Sequence, residues 1–139
     1  MNGEFCVAVH ALVYLHHCDR VLSSEELAKN ICTNPARVRK VMSCLKKAGL
    51  LVSREGGGKG GYRFTGDPGE VTLLTVADAL QMRCVEVRWH SGSMDMDCLV
   101  ASGMGGLMDE LADDLDVRCR KRLQEITLAD LEQKLFQNK

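Results

Sequence analysis

The sequence predicts a mostly α chain with one small β-hairpin. Three observations carry that expectation. Apolar residues recur at spacings of three and four along most of the chain. Helix-start signals stand before several of those runs, in "SSEE", "TNPAR" and "ITLAD". The departure is "LLVSREGGGKGGYRFT", residues 50–65, where two strand-like segments flank a glycine cluster.

The chain of 139 residues is long enough for one domain, or a small domain with an appendage. Aromatic residues make up only 4%, so the core must be mostly aliphatic, with seven methionines contributing. No apolar run is long enough to span a membrane. The start, "MNGEFCVAVHALVYLHH", is apolar but lacks a basic beginning, and reads as an amphipathic helix rather than a signal peptide. Seven cysteines, an odd number without a secretory leader, point to reduced thiols in a cytoplasmic protein rather than a disulfide framework. Net charge is −1, but its distribution is uneven. Residues 1–66 hold ten Lys and Arg against five Asp and Glu; residues 67–139 hold eight against fourteen. A basic head that meets a polyanion and an acidic body that does not would produce this asymmetry.

A first helix is expected from about Glu4 to His17, with Phe5, Val9, Leu12, Val13 and His16 on one face. Ser23 caps the second helix, "SSEELAKNI", and Glu26 completes a capping box. After the turn "CTN", Asn34 caps a third helix. Pro35 takes its first position, where a missing N–H costs nothing, and Gly49 ends it after Ala48. Val38, Val41, Met42 and Leu45 form the inward stripe of this third helix. At about 100° per residue, Ala36, Lys40, Ser43 and Lys47 lie opposite, with Arg37 and Arg39 on the flanks. It contains no acidic residue, unlike an ordinary solvated helix laced with Glu–Lys pairs. "LLVSRE" and "GYRFT" read as strands, and Pro68 and Gly69 then break the chain. "TLLTVADALQM" begins a further helix, with Thr75 expected as its cap and Asp78 as the third-position partner. Residues 84–97 read as irregular. A long helix follows, about Leu99 to Glu125, with Met104, Met108, Leu111, Leu115, Cys119, Leu123 and Ile126 recurring at helical spacing. Its opposite face is acidic early and basic late, as the helix dipole favours. A last short helix starts at Thr127, with Asp130 completing its capping box.

Gly56, Gly58 and Gly61 satisfy G-x-G-x-x-G. A dinucleotide loop needs a helix directly after its glycines, so that the helix N-terminus faces the pyrophosphate. Here "YRF" and then Pro68 follow. A phosphate loop needs Ser or Thr after the lysine, and Gly60 stands there instead. A solvated hairpin tip without function remains open. The basic helix upstream favours a third reading, a wing beside a helix-turn-helix. Glycines would let the backbone approach a phosphate or enter a minor groove, with Lys59 supplying charge at the tip.

The segments "VAVHALVYL", "LAKNICTNPARVRKVMSCLKKAGLLVSREGGGKGGYRF", "LLTVADAL" and "ITLADL" resemble the Rrf2 family of bacterial winged-helix transcription regulators. They span nearly the whole chain. The resemblance implies a winged helix-turn-helix head over residues 1–66. Residues 67–139 would then supply a linker helix, a sensor loop and long C-terminal dimerisation helices. It implies a homodimeric repressor on a palindromic double-stranded DNA operator, and no enzyme. The third helix would lie in the major groove and the wing in the adjacent minor groove. Asn34, Arg37, Arg39, Lys40 and Ser43 are then the candidates for base and backbone contact, since arginine can pair with guanine O6 and N7. Lys40, Lys46, Lys47 and Lys59, with the backbone at Gly60, are the phosphate candidates.

Many family members hold an iron–sulfur cluster on three cysteines before the long helix. Only Cys84 and Cys98 lie in that segment of this chain. Three readings stay open. A rebuilt site could combine Cys84 and Cys98 with Cys6 and His10, one turn apart on the first helix, to hold a [2Fe–2S] cluster or zinc across the dimer. His90 is a further candidate ligand. Alternatively, Cys98 or Cys84 is a redox-sensitive thiol. Otherwise the cluster has been lost and another input acts. Cys44 and Cys119 read as packing residues, and Cys18 and Cys32 lie in turns. Two further classes are a thiol-dependent enzyme built on Cys6 and His10, and a winged protein that contacts only other proteins. Neither G-x-S-x-G nor H-E-x-x-H occurs to support an enzyme.

Overall fold

The structure is a computed structural model and describes residues 1–55 and 60–137. Its elements are α1 (Gly3–Cys18), α2 (Ser24–Ile31), α3 (Pro35–Lys47), β1 (Leu51–Arg54), β2 (Gly61–Phe64), α4 (Leu73–Ala79), α5 (Leu99–Gln124) and α6 (Leu128–Gln137). The chain is thus mostly α, with one antiparallel hairpin and a long C-terminal helix, as expected. It divides into two compact units: Met1–Met82 with Leu123–Lys139, and Arg83–Arg122. Among the described residues, no helix is long and apolar enough to cross a membrane.

In the first unit α1 is the central element. Asn2 caps it, its Oδ1 accepting the Phe5 N–H at 2.9 Å. The single apolar face expected for this helix is too narrow. Val7, Ala8, Ala11 and Leu15 are buried as well as Phe5, Leu12 and Val13. The reason is tertiary: α2, α3, β2, α4 and α6 all pack around α1. Ala8 and Ala11, both fully buried, are the small residues that let those neighbours approach.

The next two helices follow their local signals. The Glu26 N–H donates to Ser23 Oγ at 3.0 Å, and the Ser23 N–H donates to Glu26 Oε1 at 3.2 Å. That returned hydrogen bond, with the Arg20 guanidinium beside it, holds the Glu26 carboxyl below its ordinary value. Cys32 ends α2 in the left-handed region, at φ 64°. Asn34 Oδ1 then accepts the Arg37 N–H at 2.8 Å and starts α3. Val38, Val41, Met42 and Leu45 are buried, so the predicted inward stripe of α3 is the real one. Gly49, at φ 78°, turns the chain out of the helix and into β1.

Leu51 pairs with Phe64 and Arg54 with Gly61 across the hairpin. Leu22, just before α2, adds a third rung. Its N–H donates to the Tyr62 carbonyl at 2.9 Å, and the Tyr62 N–H donates back to the Leu22 carbonyl at 2.8 Å. Gly61 lies so close to this rung that a Cβ would collide with the Leu22 carbonyl.

The cap of α4 is Thr72, not the expected Thr75. The Thr75 N–H donates to Thr72 Oγ1 at 3.1 Å. Thr72 is held extended by a bridge to Thr127, so the helix cannot begin before it. The same crossing docks α6. The Leu73 N–H donates to the Ile126 carbonyl at 2.8 Å, and the Leu128 N–H donates to the Val71 carbonyl at 2.9 Å. The predicted capping box of α6 is present, with Asp130 N–H donating to Thr127 Oγ1 and Thr127 N–H donating to Asp130 Oδ2.

In the second unit, a largely irregular segment leads into α5. The buried carboxylate of Asp116 anchors it, accepting the Cys84 N–H at 2.7 Å and the Val85 N–H at 3.0 Å. Burial opposes ionisation of Asp116, but these two N–H groups, with Arg83 and Arg120, hold its carboxyl below the ordinary value.

The bridge at Leu22 generates a prediction. Gly61→Ala should lower unfolding stability by about 1–3 kcal/mol, because the new methyl must displace backbone. Urea unfolding followed by circular dichroism measures this; an unchanged midpoint would show that the close approach at Gly61 is not required.

Candidate nucleic-acid interface

The outward face of α3 carries Ala36, Lys40, Ser43 and Lys47, all exposed. Among the described residues, Lys40 and Lys47 have no acidic partner. The two flanking arginines are engaged. Arg37 Nε donates to Glu4 Oε1 of α1 at 3.0 Å, and Arg39 lies 3.7 Å from Glu25 of α2. The Arg39 pair is solvent-facing and contributes little to stability, whereas the Arg37 pair is half-buried. Asn34 is exposed, and its carboxamide oxygen is used by the cap of α3. Lys46 Nζ donates to Ser53 Oγ at 2.6 Å and ties the end of α3 to β1.

An open groove runs between α3 and the hairpin. Arg39, Ser43 and Lys46 line it from α3, and Ser53, Arg54 and Gly60 line it from the hairpin arms. Ser23 and Ser24, at the start of α2, close one end. The N–H groups of Ser23 and Glu26 at that helix start are taken up by its capping box. Glu25 and Glu55 are the acids in the lining. The hairpin tip expected to carry Lys59 lies outside the described residues. β2 follows the glycines directly, so no helix N-terminus is available there for a pyrophosphate.

The rebuilt metal site, one of the three open readings, is not formed among the described residues. Among the described residues, no group of three or more His, Cys, Asp or Glu is placed to hold a metal ion. Each proposed ligand has other surroundings. Cys6 is exposed on α1, and His10 Nε2 is 2.7 Å from Asn30 Oδ1. His90 Nε2 is 2.7 Å from Asp109 Oδ1. Burial, with the adjacent Cys119 thiol and the Asp116 carboxylate, pushes the Cys84 thiol up to about 11. Cys98 stands exposed just before α5, where the Ala101 and Val100 N–H groups hold its thiol below the ordinary value. Cys6, His10, Cys84 and Cys98 are therefore not a [2Fe–2S] or zinc site.

Three helices, a bridged wing and a cationic outer helix face define a winged helix-turn-helix, the class of fold found in DNA-binding transcriptional regulators. The chain belongs to the Rrf2 family: the family model described as "Iron-dependent Transcriptional regulator" matches residues 1–134. It is 31% identical over 136 residues to a Bacillus subtilis (strain 168) protein provisionally named HTH-type transcriptional regulator YwnA, covering 98% of this chain and 99% of that one. A Lactobacillus plantarum crystal structure, provisionally described as a transcriptional regulator, superposes with a TM-score of 0.84 at 29% identity, over 97% of this chain and 91% of the other. IscR of T. potens shares the fold, with a TM-score of 0.70 at 18% identity, over 100% and 90% of the two chains. The iron in the family description does not fit the donor groups found here.

The thiols of Cys84 and Cys98 should react at different rates. At neutral pH, iodoacetamide is expected to label Cys98 at least about tenfold faster than Cys84, because the labelling species is the thiolate. Peptide mass spectrometry against time reads the two rates; equal rates would contradict the two environments.

Proposed function

We propose that the chain is a homodimeric repressor that binds a palindromic operator, with α3 in the major groove and the wing in the neighbouring minor groove. The observation that carries this reading is the outer face of α3, which is cationic, acid-free and exposed beside an open groove. Arg37 and Arg39 read base edges after leaving Glu4 and Glu25. Asn34 and Ser43 supply shorter polar contacts. Lys40, Lys47, Lys59 and the backbone at Gly60 take phosphates. Dimerisation is supported by Met108, Leu111 and Leu115, which α5 leaves exposed. Regulation by oxidation would enter at Cys98, the exposed thiol whose ionisation its surroundings favour.

Duplex binding over a range of salt and sequence tests the reading. Log K should fall by roughly 0.9 per phosphate neutralised for each tenfold rise in salt. Arg37→Ala should relax specificity, removing about 1–3 kcal/mol of discrimination at one base position. Lys40→Ala and Lys47→Ala should weaken all duplexes alike, each reducing the salt slope by about one. Equal affinity for random and genomic fragments at physiological salt would overturn it.

A further inference from the structure

Residues 83–85 run along one face of α5 and are tied to it turn by turn. The Arg83 guanidinium donates to Asp113 Oδ1 at 2.9 Å. One turn later, the Asp116 carboxylate accepts the Cys84 N–H at 2.7 Å and the Val85 N–H at 3.0 Å. Cys119 follows Asp116 by three residues and so shares its helix face. This register brings the side chains of Cys84 and Cys119 together. Their thiols are adjacent, and both residues are half-buried in the second unit.

Packing alone does not call for this placement. Inert structural cysteines sit in buried, apolar surroundings. Neither Cys84 nor Cys119 belongs to the buried core, and the charges of Asp116 and Arg120 stand beside the Cys84 thiol. A small polar molecule can reach a pair that is only half covered. Asp116 is itself buried, and its two hydrogen bonds hold the Cys84 backbone against α5. The second sulfur is therefore in place before the first one reacts.

We propose that Cys84 and Cys119 form an oxidisable dithiol that closes to an intrachain disulfide when a peroxide reaches it. The site is separate from Cys98 and does not rest on the DNA-binding reading. Burial pushes the Cys84 thiol up, which makes it the slower first nucleophile. Cys119 attacks first. Its thiolate sulfur takes one peroxide oxygen, the O–O bond breaks, and a sulfenic acid and one water result. The Cys84 sulfur then attacks the sulfenic sulfur. The S–O bond breaks, the S–S bond forms and a second water leaves. The two thiols lose two electrons and two protons, and hydrogen peroxide accepts them to become two waters.

Treatment of the dilute full chain with hydrogen peroxide tests it. Remaining thiols are blocked with N-ethylmaleimide, and non-reduced digests are read by mass spectrometry against time. A linked Cys84–Cys119 peptide should accumulate at least about tenfold faster than any other cysteine pairing. It should vanish on reduction with dithiothreitol and persist in Cys98→Ser. Cys84→Ser and Cys119→Ser should each abolish it, with no other pairing at a comparable rate. The same oxidation in strong urea should remove the preference, because the unfolded chain no longer holds the two thiols together. The wild-type measurement does not depend on whether the serine variants fold, and circular dichroism checks that they do. A first linkage of either cysteine to a different partner, a linkage that requires Cys98, or oxidation of either thiol to sulfinic acid without the linked peptide would overturn the proposal.

Discussion

Two backbone hydrogen bonds between Leu22 and Tyr62 organise the head. A lone two-stranded hairpin of four residues per strand is marginal in water. Here its second strand is pinned to the chain just before α2, and Phe64 is buried at its far end. The wing therefore has a fixed position relative to the helix pair that it flanks. That position creates the groove between α3 and the hairpin. It also demands glycine at position 61, where the backbone of Leu22 leaves no space for a side chain. The glycine-rich run thus serves packing at its end, at Gly61.

The second organising feature is the docking of α6. Helix α1 is buried on several sides, and α4 and α6 pack on it together with α2, α3 and β2. The backbone crossing of Val71–Leu73 with Ile126–Leu128 makes this a main-chain junction, not only a side-chain contact. Helix α6 therefore joins the head's own core, and Leu128, fully buried, is one of its residues.

Much of the fold was legible because its signals are local. Ser23 with Glu26, Asn34 with Pro35, and Thr127 with Asp130 each announce a helix start within four residues, and all three are realised. The inward and outward faces of α3 also follow from helical spacing alone. What could not be read depends on distant residues. Thr72 and Thr75 offer equivalent hydroxyls, and only the bridge to Thr127 decides between them. Asp116 looks like one more acid on a solvated helix, yet it holds backbone groups 31 and 32 residues away. Cys6 and His10 sit one turn apart, which reads as paired ligands, but Asn30 from α2 occupies the histidine. In the interface, the cationic face was legible and the restraint on its arginines was not, because Glu4 and Glu25 come from other helices.

On the proposed reading, that restraint separates two stages of DNA recognition. Attraction at a distance depends on the net field, and an arginine already neutralised by Glu4 adds little to it. In the proposed complex Lys40 and Lys47, which have no acidic partner among the described residues, supply the search. In the proposed complex, Arg37 contributes only when a base edge competes successfully with the carboxylate it already holds. A wrong base leaves the Glu4 pair in place, so the arginine reports a match without increasing retention on unrelated sequence.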